Sequence, residues 1–252
     1  MEHTGKHAVV TGGGTGIGQG IAVALAEAGA EVTITGRRAD KLEEVAAQNP
    51  RLHPLVMDVT DESSVRDGMA QAAAARGPVQ ICVANAGIAE GGPFADTSLA
   101  AWQRTMGTNL DGVFLTLQSA LATLGPDDDA RMIIISSVAG LRGLKGAIPY
   151  TVSKHAVIGL IHGLSEEYMK RPITFNAICP GYVDTPIVRN QLPSVMKRFS
   201  VDEAGAIEVM ARGNRHRKLL EVDETTSAAM WLCSDGARSV NGQTVNIAGG
   251  QV

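Results

Sequence analysis

Several large protein classes are excluded by what this chain has little of. Only three of its 252 residues are cysteines. Cys82, Cys179 and Cys233 lie far apart, each in an apolar stretch, and no CxxC occurs. An odd count without paired spacing gives no disulfide framework and no thiolate metal site; it points to reduced, buried, structural thiols of a cytosolic protein. The six histidines are scattered. His155 and His162 can share a helix face, but two helical turns, about 10 Å, separate them, too far for one metal ion. No metal is expected. Positive charge is not in excess: 22 Lys and Arg stand against 26 Asp and Glu, a net charge of −4. Without a broad basic field, nucleic acid is excluded as a partner. No apolar run approaches the roughly 18 residues of a membrane span. Residues 1–6 are short and polar and a strand-like run follows at once, so no targeting segment and no membrane partner are expected. There is no repeat, no low-complexity tract and no linker-like shift of composition. The length suits one domain, 1–252, with a sizeable core.

What is present is an alternation of short apolar runs with longer helical ones. Strand-like segments occur at 7–11, 31–35, 52–58, 79–84, 131–136, 174–179 and 244–247. Between them, 15–28 carries Ile17, Ile21 and Leu25 at helical spacing and stops at Gly29. Helices are also expected at 39–48, at 63–76 with Asp61 and Ser63 as candidate caps, as one or two units within 99–124, at 150–170, and at 222–233. Repeated β-α-β units with continuous apolar strands predict an α/β fold, a doubly wound parallel sheet of Rossmann type covered by helices on both faces. Residues 185–217 break the alternation. They are weakly helical, rich in Met and Arg, and longer than an ordinary loop, as binding lids often are.

The first strand runs into Thr11-Gly12-Gly13-Gly14-Thr15-Gly16-Ile17-Gly18, which opens a helix. Glycines allow a tight turn and close approach of a phosphate to backbone N–H groups, where the helix dipole favours negative charge. Tyr150 and Lys154 stand four residues apart in a helix start, so their polar ends can share a face. A carbonyl that receives hydride needs a proton. A free tyrosine titrates near 10, and a neighbouring cation lowers that value towards a useful range. Ser137, at the end of the isoleucine-rich strand, could hydrogen-bond a substrate carbonyl, with Ser136 as strand packing.

Thr11, Gly12, Gly16 and Gly18 match the Thr-Gly-x-x-x-Gly-x-Gly opening of the classical short-chain dehydrogenase/reductase family, which the chain resembles from residue 7 to 248. Asp58-Val59, Asn85-Ala86-Gly87, Thr108-Asn109-Leu110, Ser137, Tyr150 with Lys154, and Pro180-Gly181 follow in the family's order. The resemblance implies that Thr15, Gly16 and Ile17 in the glycine loop, Asp58, Val59 and Asn85 to Gly87 hold a dinucleotide. It implies that Tyr150 is the general acid/base, that Lys154 binds the nicotinamide ribose and tunes the tyrosine, and that Ser137 orients the carbonyl. Asn109 would support a proton relay, and Pro180, Gly181, Val183 and Thr185 would hold the nicotinamide end.

The second strand ends at Gly36 and not at an acid that would bind a ribose diol; Arg37 and Arg38 follow. Arginine pairs with phosphate in bidentate fashion, so NADP(H) is preferred, with NAD(H) possible. Some NADP-dependent relatives carry a basic residue where this chain has Thr15. The C-terminal part looks most like 3-oxoacyl-thioester reductases. Arg212, Arg215, Arg217 and Lys218 could meet the phosphates of coenzyme A or an acidic carrier protein. The alternatives are an NAD-dependent alcohol, steroid or sugar dehydrogenase, and a dinucleotide-binding sensor without turnover. The family also implies a homo-oligomer, usually a tetramer built on the helices preceding strands five and six.

Overall fold

The computed structural model describes residues 2–251. Seven parallel strands form one sheet in the order β3-β2-β1-β4-β5-β6-β7. They are β1 His7–Thr11, β2 Glu31–Gly36, β3 Leu52–Val56, β4 Val79–Ala84, β5 Ala130–Ile135, β6 Ile173–Pro180 and β7 Thr244–Ile247. The inner strands β1, β5 and β6 are buried at every position, which is why they read as predominantly apolar runs.

Alternate residues of the central strands β1, β4, β5 and β6 feed two cores. Ile133 and Ile135 of β5 pack with Val10 and Ile34 under α1 (Gly16–Glu27), α2 (Ala39–Ala46) and α10 (Val222–Cys233). Met132 and Ile134 pack on the other face with Phe175 and Cys82, under α3 (Glu62–Arg76), α5 (Gly112–Leu121) and α6 (Ile148–Glu167). The strand order reverses at β1, whose neighbours are β2 and β4. A doubly wound sheet opens a crevice at the carboxyl ends of its strands at such a point.

Some boundaries differ from those expected. β3 ends at Val56, its last partner in the ladder with β2, and not at Asp58. The Asp58 carboxylate is engaged instead with the Thr60 N–H and hydroxyl. Asp61 alone caps α3, accepting from the Ser63 and Ser64 N–H groups. The 99–124 segment is α4 (Leu99–Met106), one π turn at Gly107–Asp111, and then α5. Residues 185–217 carry three short helices, α7 (Pro186–Arg189), α8 (Leu192–Phe199) and α9 (Glu203–Ala211), around a small core of their own formed by Val188, Leu192, Ala206, Met210 and Leu219. All three cysteines are free and buried. No helix among the described residues is long and apolar enough to cross a membrane.

Candidate active site

The crevice at the strand ends is a cleft of about 400 Å³ that runs from the glycine turn past the ends of β2, β3 and β4 to α6 and β6. It gathers nearly every residue expected from sequence: Gly12, Thr15, Gly16 and Ile17; Arg37 and Arg38; Asp58 and Val59; Asn85, Ala86 and Gly87; Ser137, Tyr150 and Lys154; Pro180, Gly181, Val183 and Thr185. Gly18 and Asn109 are the exceptions.

Local chemistry explains the glycine turn. The Thr11 hydroxyl accepts from the Asn85 and Ala86 N–H groups at 3.0 and 3.1 Å, and the Asn85 amide donates back to the Thr11 carbonyl at 2.9 Å. This clips the end of β1 to the end of β4. Gly12 has φ +65°, and a Cβ there would stand 2.9 Å from Asn85 Nδ2. Gly18 lies outside the cleft because its work is packing: a Cβ would stand 2.5 Å from the Gly12 carbonyl oxygen. At the start of α1, Thr15 is extended, its side chain makes no cap, and the first turn holds no acid. The first N–H groups of the helix therefore remain available to an anion.

At the end of β2, Arg37 and Arg38 are exposed, and no acidic side chain pairs with either among the described residues. Asp58 commits Oδ1 to Thr60, which leaves Oδ2 without a protein partner there.

The far end of the cleft holds the polar trio. Ser137 caps a short turn, its Oγ accepting from the Ala139 N–H at 3.1 Å. Ser136 points elsewhere and donates to the Lys154 carbonyl at 3.1 Å, tying β5 to α6. Gly140 permits that approach, since a Cβ there would stand 2.6 Å from the same carbonyl oxygen. Lys154 is only 4% exposed; its ammonium donates to the Ile135 carbonyl at 2.7 Å and lies 5.7 Å from the Tyr150 ring centre. Burial pushes Lys154 down to about 8. Tyr150 differs from the sequence expectation. Burial raises its phenol above the ordinary value of 10, and a hydrogen bond with Ser137 offsets only part of that rise.

Asn109 is fully buried. Its Oδ1 accepts from the Ile88 N–H at 2.8 Å, and its Nδ2 donates to the Ile88 carbonyl at 2.9 Å and to Ser153 Oγ at 3.1 Å. Its side chain thus holds the segment after β4 against α6, and a Cβ built on Gly87 would stand 3.3 Å from Asn109 Oδ1 and 3.7 Å from Lys154 Nζ, so the two side chains approach the same point. The basic group Arg212, Arg215, Arg217 and Lys218 does not line the cleft. It lies beside the C-terminal segment, where the Arg215 N–H donates to the Gly249 carbonyl at 2.6 Å.

The family model described as short chain dehydrogenase matches residues 6–195. D-beta-hydroxybutyrate dehydrogenase of Rhizobium meliloti (strain 1021) is 34% identical, with 97% of this chain and 98% of that protein covered. Acetoacetyl-CoA reductase of the same organism is 32% identical, with 97% of each covered. A crystal structure of actinorhodin polyketide ketoreductase with NADPH superposes with a TM-score of 0.95 at 28% identity, over 99% of this chain and 98% of that one. The chain belongs to the short-chain dehydrogenase family.

As a short-chain dehydrogenase it is an oxidoreductase of the class acting on CH–OH and carbonyl groups. Its cleft also contains residues that sequence reasoning missed. Lys41 lines it beside the two arginines, with Nζ held by Glu44 at 2.7 Å. Its place one helical turn after Arg38 was a readable signal. Ile187 and Asn190 of the 185–217 segment line it as well. No local pattern marks them, because only the fold of that segment brings them back over the cleft.

Proposed function

We propose that this short-chain dehydrogenase interconverts a carbonyl and a secondary alcohol with a nicotinamide dinucleotide, NADP(H) in preference to NAD(H), and reduces a 3-oxoacyl thioester. The observation that carries the reading is the meeting of Ser137, Tyr150 and Lys154 at the end of a cleft with an uncapped helix start at its middle and a free carboxylate oxygen and two unpaired arginines near its other end. The residues fit the group. Gly12 leaves room where a Cβ would collide, and the α1 N–H groups would hold the pyrophosphate. Asp58 would hold the adenine, Arg37 and Arg38 a 2′-phosphate, and Lys154 with Val183 and Thr185 the nicotinamide end.

When bound, the dinucleotide supplies hydride in reduction or accepts it in oxidation. The protein's own groups manage the proton. Ser137 Oγ, fixed by the Ala139 N–H, shares a hydrogen bond with Tyr150, and a substrate oxygen placed between them would take a hydrogen bond from both hydroxyls. Tyr150, kept protonated by its raised pKa, gives its proton to that oxygen as the C–O double bond is lost. The Lys154 ammonium stabilises the phenolate left behind. Residues 185–217 act as the substrate lid within a single domain. The three buried free thiols suit a cytoplasmic enzyme. Exposed Phe114 on α5 and Val152 on α6 suit a homotetramer built on those helices, which light scattering of the purified protein checks.

The deciding experiment follows nicotinamide absorbance with acetoacetyl-CoA, once with NADPH and once with NADH. Turnover with NADPH, abolished in Tyr150→Phe, is expected. An Arg37→Ala/Arg38→Ala variant should raise the KM for NADPH by about tenfold or more, as loss of charge-assisted bonds predicts, and leave NADH almost unchanged. Turnover with NADH alone removes the arginine argument and keeps the chemistry. No turnover with either removes the thioester.

A further inference from the structure

The proton donor stands on a helix start that its own sequence does little to fix. Tyr150 lies in the first turn of α6, where Ala147 supplies no side-chain cap, no acid occurs in the first turn, and Pro149 brings no N–H. Uncapped helix ends fray. A misplacement of about 1 Å at a reacting group costs on the order of a hundredfold in rate, so the position of this turn has to be set by groups beyond the cap.

Two buried serines meet that demand. Ser136, just after β5, donates to the Lys154 carbonyl at 3.1 Å. Ser153 Oγ donates to the Tyr150 carbonyl at 2.8 Å. Each carbonyl has a second lone pair beyond the one its helical bond uses, so neither serine displaces a helical bond. A serine bonded to the carbonyl three residues back is by itself an ordinary helix contact. Ser153 differs because its hydroxyl also accepts from Asn109 Nδ2 at 3.1 Å. Asn109 in turn holds both backbone groups of Ile88, and Ile88 lines the cleft directly after Asn85-Ala86-Gly87. A continuous line of hydrogen bonds thus joins the cleft wall at the end of β4, the π turn and the backbone of the proton donor. Asn109 and Ser153 are both fully buried, so bulk water does not replace a missing member, and the low-dielectric surroundings strengthen each bond. Ser153 itself lines no part of the cleft.

We propose that Ser153 is a positioning residue for the reaction: through Asn109 it sets the Tyr150 backbone against the wall at the end of β4 that lines the dinucleotide cleft. The phenol is thereby held in a fixed place relative to Ser137 and to the nicotinamide end of the cleft. The proposal rests on the reading of Tyr150 as the proton donor. Ser153 should therefore act on the rate of the chemical step and leave binding alone, because the groups that would touch substrate and dinucleotide stay where they are.

The full-length enzyme is compared as wild type, Ser153→Ala and Ser153→Thr, with thermal melts to verify folding. Steady-state rates are measured with acetoacetyl-CoA and NADPH, NADPH affinity by calorimetry without substrate, and amide hydrogen exchange at residues 151–154. Ser153→Ala should lower kcat by about tenfold or more, within the cost of a 1 Å displacement, and leave the KM for acetoacetyl-CoA and the NADPH affinity within about twofold. Its amides at 151–154 should exchange severalfold faster, the scale of one lost hydrogen bond. Ser153→Thr keeps the hydroxyl and should recover most of kcat. Combining Ser153→Ala with Asn109→Ala should slow the reaction little beyond the slower single variant, since both break one line. An unchanged kcat in folded Ser153→Ala overturns the proposal, and so does a loss carried by KM or by weaker NADPH binding. A folded Ser153→Thr as slow as Ser153→Ala overturns it as well. If Ser153→Ala does not melt cooperatively, Ser153→Cys, close in size and a weaker donor, takes its place under the same expectations. If the wild type turns over acetoacetyl-CoA with neither NADPH nor NADH, the reaction reading fails instead. Amide exchange then decides the positioning, and equal rates at 151–154 in wild type and Ser153→Ala overturn it.

Discussion

Lys154 is a buried cation retained at a cost. It is 4% exposed, its recorded hydrogen bond goes to a backbone carbonyl, and burial brings it down to about 8 from an ordinary 10.5. The sign follows from linkage. Between these two values the unfolded chain binds the proton more tightly than the fold does, so stability rises with pH across that window and is lower at neutral pH. Lys154→Met should therefore melt higher than wild type at pH 7. After allowance for the orphaned Ile135 carbonyl, the gain should be of the order of 1–2 kcal/mol, roughly 2–8 °C for a chain of this length, while turnover collapses. Calorimetry at pH 7 and pH 10 checks this, because the gain should shrink at the higher pH. A variant that melts lower at both would mean that the Lys154–Ile135 bond outweighs the desolvation. Tyr150 illustrates where residue-level reading stopped. Its partners Ser137 and Lys154 were legible as a motif, but the direction of its pKa depends on how deeply the surrounding segments bury it, and no spacing encodes that.

At the scale of elements, the helix from Leu99 to Leu121 is informative. Its apolar pattern reads as one or two helices, and its caps give no sign of a break. The π turn at Gly107–Asp111 is set by tertiary demands. The residue that the π turn inserts into the helix lets Asn109 point inward to Ile88 and Ser153, and such turns are frequent at functional sites. Asn109→Ala would strand the Ile88 N–H and carbonyl. A loss of about 2–3 kcal/mol is expected for two buried backbone groups, roughly 4–12 °C in Tm. The KM for substrate should stay unchanged, since Asn109 touches no cleft surface. A rise in KM alone would mean that it contacts the substrate directly. The strand-helix alternation, the glycine turn and the Pro180-Gly181 segment were legible because period and turn chemistry are local properties. The lid was legible only as an interruption. Ile187 and Asn190 reach the cleft through the packing of α7 to α9, which depends on a core that joins Leu192 to residues as distant as Met210 and Leu219, beyond any short window of sequence.

For the whole molecule, the edge of the sheet opposite the cleft sets the response to acid. His7 opens the central strand β1 and is buried. Its Nδ1 lies 2.9 Å from the Gly77 carbonyl, and its Nε2 lies 2.9 Å from Thr33 Oγ1 of β2, so one neutral ring joins β1, β2 and the turn before β4. The network fits a ring that donates from Nδ1 and accepts at Nε2. Burial lowers its pKa below the ordinary 6.5, and His3, also buried, shifts the same way with both ring nitrogens unpartnered. Below pH 6.5 the unfolded chain takes up protons that the fold refuses. Stability is therefore fully present above 6.5 and is lost as pH falls towards the folded values. The depressed carboxylates act in the same direction, but only lower on the scale: Glu31, held down chiefly by its hydrogen bond with His53, protects the fold above its ordinary 4.5. The window between 4.5 and 6.5 thus belongs to the two histidines. Urea unfolding at pH 7.5 and pH 5 should show a clear loss for the wild type at the lower pH. In His7→Gln, which keeps an amide donor and an acceptor without a titrating ring, the starting stability should be lower and the acid loss smaller, with His3 supplying what remains. An unchanged loss in that variant would assign the acid response to His3 alone and leave His7 as a neutral strut. Tyr150 lies above 10 and Lys154 near 8, so neither titrates in this window. Activity lost there should track the folded fraction, and a fall in kcat at constant folding would point to a different ionising group in the cleft.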